Sequence, residues 1–267
     1  MIKARFGGLE VLTRFPSGEP RPIPLLFVHG AYTAAWCWEE HFLPFFAEAG
    51  YAAYAVSLRG HGRSGGREYL DSFSIADYVK DVVAVVAELP GPPVLVGHSM
   101  GGMVVQKYLE QAAVPAAVLI CSVPPQGLWT SAVGLALNKP GLLGELNRLL
   151  GGGRVALDAL SEALFAQPMP AELLRRYYQL SQPESHRAIW DMTLFNLPSP
   201  GAMHRVPMLV LGAEFDHLIP ASVVEMTART YGAEAEIFPG MGHGLMLEPD
   251  WSQVAARIQG WLQSVGI

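Results

Sequence analysis

Residues 94–103 read Val-Leu-Val-Gly-His-Ser-Met-Gly-Gly-Met, which places Ser99 midway between Gly97 and Gly101. A serine hydroxyl attacks a carbonyl only when a base within hydrogen-bond reach takes its proton. The base needs a carboxylate to fix its tautomer, and the oxyanion that forms needs preorganised donors. Gly-x-Ser-x-Gly also occurs in plain turns, so its neighbours decide. Before it, Val94, Leu95 and Val96 follow the breaker Pro92-Pro93 as a short apolar run, the pattern of a buried strand. After it, Met103, Val104, Lys107, Tyr108 and Gln111 recur at helical spacing. A sharp strand-to-helix turn leaves no room for a Cβ beside the serine, hence the two glycines, and it lifts the hydroxyl clear of the backbone.

The chain offers eight histidines as bases. His41 and His186 lie in helix patterns and are expected at the surface; His204 sits at a loop–strand border. His29 and His61 read as loop-shaping, His98 as pointing away from Ser99, and His217 as a loop residue. His243 lies in Pro239-Gly240-Met241-Gly242-His243-Gly244, straight after the last strand pattern, and is the expected base. The segment 212–220 offers Asp216 as the orienting acid, with Glu214 as a competitor that could instead hold the loop. Nothing acidic follows Cys121-Ser122. Met100 opens a helix, so its N–H lacks an intrahelical partner and can meet the oxyanion. The Ala31 N–H, after the strand ending in His29-Gly30, is the simplest second donor.

Strand patterns at 24–28, 51–58, 94–97 and 116–122 alternate with helix patterns. One is at 36–49; another is capped by Ser74, with Ile75, Tyr78, Val79, Val82, Val83 and Val86 facing inward. A β-hairpin is expected over 2–15. From 123 to 204 no strand pattern appears, only helix-like stretches at 142–150, 155–165, 171–180 and 185–195. Strands resume at 206–212 and 235–238, before a last helix at 251–265. Continuous apolar strands between helices imply an α/β domain with a mostly parallel sheet covered on both faces. Gly151-Gly152-Gly153 lacks the Lys-Ser/Thr of a phosphate loop and reads as a hinge.

At 267 residues, the chain fits one such domain carrying an insertion. A net charge of −6 without a Lys/Arg cluster argues against nucleic acid and anionic membrane surfaces as partners. Two cysteines, Cys37 and Cys121, make no disulfide framework, and Cys121 reads as a small core residue. No stretch has the length of a membrane span and no apolar signal core opens the chain, so a cytoplasmic location is expected.

Together, His29-Gly30, the loop Arg59-Gly60-His61-Gly62-Arg63-Ser64, Gly97-His98-Ser99-Met100-Gly101, Asp216 and His243 resemble the α/β-hydrolase superfamily, in its serine esterase-like branch. The resemblance spans nearly the whole chain. It implies the triad order Ser99, Asp216, His243, and it implies a core domain of 1–123 and 205–267 with a helical lid, or cap, at 124–204. Lid residues such as Leu143, Leu146, Leu149 and Tyr177 mostly form the lid's own core. Tyr32, Trp129, Phe165, Trp190 and Leu218 are expected to meet an apolar substrate. Ser99 stands where dehalogenases and epoxide hydrolases carry aspartate. Gly244, not lysine, follows His243, unlike the hydroxynitrile lyases. Many relatives carry an acid where Ser57 stands. The expected activity is hydrolysis of small carboxylic esters with an apolar acyl or alcohol part, needing neither metal nor cofactor. Carbon–carbon hydrolysis or perhydrolysis on the same triad, and a non-catalytic ligand receptor, are the alternatives. The sequence leaves a homodimer open.

Overall fold

A computed structural model describes residues 2–141, 144, 145, 148 and 156–267. The eight strands are β1 (Ile2–Phe6), β2 (Leu9–Arg14), β3 (Leu25–Val28), β4 (Ala53–Ser57), β5 (Val94–His98), β6 (Ala117–Ile120), β7 (Met208–Ala213) and β8 (Glu234–Phe238). They form one sheet in the order β1-β2-β4-β3-β5-β6-β7-β8. The opening hairpin is antiparallel, β2 meets β4 antiparallel, and every later pairing is parallel. Gly7 and Gly8, at φ 57° and 87°, make the two-residue turn of that hairpin, which side chains with a Cβ disfavour.

The strand residues alternate between two cores, as the period of two demands. Leu25, Phe27, Val94, Val96, Val118, Ile120, Leu209 and Leu211 pack on one face, with α1 (Trp36–Glu39), α2 (Phe42–Glu48) and the C-terminal helix Trp251–Ser264. Leu26, Val28, Leu95, Leu119 and Val210 pack on the other, with α3 (Ile75–Glu88), α4 (Met100–Leu109) and the helix Ala221–Tyr231. Both faces are covered, which is why these strands carry almost no polar residues.

Ser74 caps α3 through a capping box with Asp77. Two details differ from the sequence pattern. The stretch 36–49 is not one helix: His41, at φ −138° and ψ −47°, separates α1 from α2. Val83 is 40% exposed, and Val85 is buried in its place. On the same helix Asp81 is buried and receives the Arg59 guanidinium and the Arg59 N–H, at 2.6 and 2.8 Å.

Between β6 and β7 the described residues hold α5 (Trp129–Asn138), α6 (Leu157–Leu164), α7 (Ala171–Leu180) and α8 (His186–Trp190), the last running into a π-helical turn, Asp191–Phe195. The helix expected at 142–150, with Leu143, Leu146 and Leu149, falls largely outside the described residues, as does the glycine triplet. Phe165, Leu174 and Tyr177 join the first core, and Ala188 and Met192 the second. After β7 come α9 (Ala221–Tyr231) and α10 (Trp251–Ser264). No helix among the described residues is long and apolar enough to cross a membrane.

Candidate active site

Strand order reverses direction at β3, whose neighbours are β4 on one side and β5 on the other. In open α/β sheets the carboxyl ends at such a switch point form the ligand crevice. Gly30 follows β3 and Ser99 follows β5. A Cβ on Gly30 would lie 3.1 Å from the Ser99 Cβ and 2.7 Å from His98 Nδ1. Ser99 itself has φ 51° and ψ −116°, a conformation costing about 1–3 kcal/mol. Its surroundings over-determine it: its N–H donates to Ile120 O at 2.9 Å, and its carbonyl accepts from Gly102 and Val123. A Cβ on Gly97 would collide with the Gly101 carbonyl, and one on Gly101 with the Val28 and His29 carbonyls. Both glycines are therefore steric necessities. Met100 begins α4, so its N–H has no acceptor inside the helix.

The loops after β7 and β8 converge. His243 Nδ1 lies 2.7 Å from Asp216 Oδ2, both side chains being buried. The other carboxylate oxygen, Oδ1, accepts from the Leu218 and Ile219 N–H groups, each at 2.8 Å. Those two backbone bonds orient the carboxylate, and the imidazole must donate from Nδ1. Glu214 instead accepts the Gly240 N–H at 2.9 Å and ties the two loops together.

Three side chains beyond the expected site support this pair. His98 is buried and does not stand idle: its Nε2 donates to the His243 carbonyl at 2.9 Å, and the two rings lie 4.7 Å apart. Burial, then the neighbouring His243, hold its pKa well down, so it is a neutral donor. Glu248 is fully buried and accepts the N–H groups of Gly242 at 2.8 Å and Ala166 at 2.7 Å, fixing the loop beside His243. Cys121, at φ 43°, places its sulfur with the Asp216 carboxylate and a His243 ring nitrogen, all within 4.8 Å of one another. Burial, then the Asp216 charge, push its thiol pKa well up, leaving an S–H that donates to the carboxylate. Those ligand types could hold a metal, yet Asp216 already spends its oxygens on His243 and two backbone N–H groups. No local pattern marks these three residues. Most of their partners are distant in sequence; His98 and His243 are separated by 145 positions.

The loop after β3 is set by a second cluster. His29 Nε2 accepts the Leu58 N–H at 3.1 Å, so Nδ1 carries the proton and donates to Gly30 O at 2.8 Å. Thr33 Oγ1 donates to the same carbonyl at 3.0 Å. Burial first, then nearby His61, lower the His29 pKa to about 3, which keeps it neutral. Gly30 O and the Ala31 N–H belong to one trans peptide plane and point in opposite directions. Pinning the carbonyl therefore aims the Ala31 N–H. Ser57, in β4, donates to Glu10 Oε2 at 2.8 Å and accepts from Ala35 N at 3.1 Å. Glu10 also accepts the Arg63 N–H at 3.1 Å.

The residues expected to meet substrate are spread more widely. Tyr32 is half-buried with φ 64°. Leu218 is half-buried beside Asp216. Phe165 is buried against the His243 loop, where a Cβ on Gly244 would lie 3.1 Å from its ring. Trp129 and Trp190 are more than half exposed, and Trp190 instead meets Phe195 at 6.2 Å. A separate cleft of about 470 Å³, bounded by Trp36, Arg63, Arg67 and Gln182, contains neither Ser99 nor His243.

Comparison with known proteins places the chain in a family. A monoacylglycerol lipase of Mycolicibacterium smegmatis is 25% identical over 98% of this chain and 95% of its own length. A non-heme chloroperoxidase of Burkholderia pyrrocinia is 28% identical over 84% of this chain and 86% of its own. An esterase of Exiguobacterium antarcticum has the same fold, with a TM-score of 0.73 at 21% identity over 96% of both chains. The sequence model of the alpha/beta hydrolase family matches residues 25–257, most of the chain, and the protein belongs to that family.

Proposed function

We propose that the protein is a serine hydrolase of carboxylic esters with an apolar acyl or alcohol part. The observation that carries this reading is the buried Asp216–His243 pair, held at 2.7 Å and strapped to His98, the residue preceding Ser99. Ser99 Oγ attacks the ester carbonyl while His243 Nε2 takes its proton. The Ala31 and Met100 N–H groups hold the oxyanion; a donor in such a hole is worth about 3 kcal/mol. The C–O bond to the alcohol then breaks, and His243 returns the proton to the departing oxygen. Water, deprotonated by the same imidazole, attacks acyl-Ser99 and releases the acid. Asp216 keeps His243 in the required tautomer and stabilises the imidazolium. Residues 124–204 act as the lid, with Tyr32, Phe165 and Leu218 at the reacting end of the pocket and Trp129 and Trp190 further out. The similarity to a monoacylglycerol lipase supports an apolar acyl group.

The chloroperoxidase relative favours one second reading, perhydrolysis, in which peroxide replaces water at the acyl-enzyme. A series of p-nitrophenyl esters from acetate to palmitate, assayed with and without hydrogen peroxide, separates the two. Hydrolysis predicts turnover without peroxide that Ser99→Ala abolishes. Turnover surviving in Ser99→Ala ends the proposal, and peracid formation outpacing hydrolysis selects the second reading.

A further inference from the structure

Segment 182–185 of the insertion is bonded to the loops around the site through the Gln182 N–H and the side chains of Gln182, Glu184 and Ser185. The Gln182 N–H donates to Tyr32 O at 2.9 Å. The Gln182 side chain accepts from Gly62 N at 2.9 Å and from Arg67 at 2.7 Å, and donates to Gly60 O at 3.2 Å. Glu184, fully buried, accepts from Tyr78 at 2.7 Å, from the Ser185 N–H at 2.7 Å and from His61 Nε2 at 2.9 Å. Ser185 closes the segment by donating to Phe73 O at 2.6 Å.

His61 is held differently from every other histidine near the site. Its Nδ1 faces the Arg59 carbonyl at 3.0 Å and its Nε2 faces the Glu184 carboxylate, and neither acceptor can donate. Both ring nitrogens must carry protons, so the group is an imidazolium paired with a carboxylate in the interior. Burial alone would depress its pKa, but the Glu184 charge and hydrogen bond, with the Arg59 carbonyl, outweigh burial and Arg67 and carry it upward. The groups facing it are Glu184 from the insertion, Tyr78 from α3, neutral His29 after β3, and Arg67, whose side chain is bonded to Gln182. The Arg59 guanidinium is turned away onto Asp81.

Tyr32, which Gln182 holds, adjoins Ala31 and sits in the left-handed region, where a residue bearing a Cβ stays only if its neighbours compel it. A purely structural latch for the insertion would not need to grip that carbonyl. We propose that segment 182–185 is a clamp on the oxyanion loop: Gln182 fixes Tyr32, the His61–Glu184 pair anchors the clamp, and both insertion residues position the Ala31 donor for ester hydrolysis. This rests on the esterase reading above.

The test compares wild type with Glu184→Gln and the milder Gln182→Ala, assayed with p-nitrophenyl butyrate across pH, alongside end-point labelling by a fluorophosphonate. The expected result is full labelling of every protein at Ser99, since the serine is untouched. For Glu184→Gln, kcat falls about tenfold, as for partial loss of an oxyanion donor, while KM stays within about twofold. The alkaline limb of its kcat profile moves to lower pH, because the imidazolium has lost its counter-charge. For Gln182→Ala, kcat falls about threefold, again without a matching rise in KM. Unchanged kcat in Gln182→Ala, KM rising in place of a fall in kcat, or an unmoved alkaline limb in Glu184→Gln overturns the clamp. Wild type that fails to label at Ser99 overturns the esterase reading instead. Should Glu184→Gln not fold, Gln182→Ala alone decides.

Discussion

Two histidine–carboxylate pairs are buried among the described residues, His243–Asp216 at 2.7 Å and His61–Glu184 at 2.9 Å. By distance and burial they are near equals, yet they are built for opposite ends. Asp216 takes His243 through Nδ1 and spends its other oxygen on backbone N–H groups, so Nε2 stays outside the pair. His61 has an acceptor on each nitrogen and cannot pass a proton on without breaking a bond. The difference teaches that a buried His–acid pair signals a base only when one ring nitrogen is left over. Otherwise it is an anchor.

Substitutions can break that contrast, and the largest effect is expected at His243. His243→Ala should lower kcat by about 10⁵-fold or more, because in the proposed mechanism Ser99 loses its base. The matching change in the anchor, His61→Gln, should cost about tenfold; equal losses in steady-state assays would erase the distinction. Asp216→Asn should cost about 10⁴-fold by favouring the wrong tautomer, with KM little changed. Breaking the anchor should show in stability. Glu184→Gln strands a buried imidazolium and should cost about 3 kcal/mol in urea unfolding. The His61 pKa is raised and the Glu184 pKa lowered in the folded protein, so the pair's contribution is full between the two unfolded values, lost as pH rises through the folded His61 value and lost as pH falls through the folded Glu184 value. The deficit of the variant should therefore be largest near about pH 5–6 and shrink toward alkaline pH; a deficit growing from there with pH would give His61 the wrong charge. A smaller effect than any of these is expected from Cys121→Ala, which removes one donor from Asp216 and should lower kcat about twofold.

How much of this could be read from the chain depends on the range of the contacts. The elbow is legible because its requirements lie within ten residues: an apolar run, two glycines with no space for a Cβ, and a helix pattern beginning at Met100. Asp216 and His243 are legible as candidates because each follows a strand pattern, although nothing local decides between Asp216 and Glu214. The bonds to Leu218, Ile219 and Gly240 do that. Val83 misleads because an exposed valine on α3 looks, to periodicity alone, like a buried one. Glu184 and Glu248 were not legible at all, since a fully buried glutamate in sequence looks like a solvated one. Its value comes from N–H and imidazole partners that only folding supplies; those of His61 and Glu184 are 123 positions apart.

Glu10 and Ser57 face each other across the β2–β4 ladder, and the carboxylate from β2 receives the serine hydroxyl of β4. The negative charge stands on β2 and reaches β4 through that hydroxyl. The same carboxylate also holds the Arg63 N–H. The N-terminal hairpin, which looks like a dispensable border of the sheet, thereby becomes part of what keeps the glycine-rich loop in place.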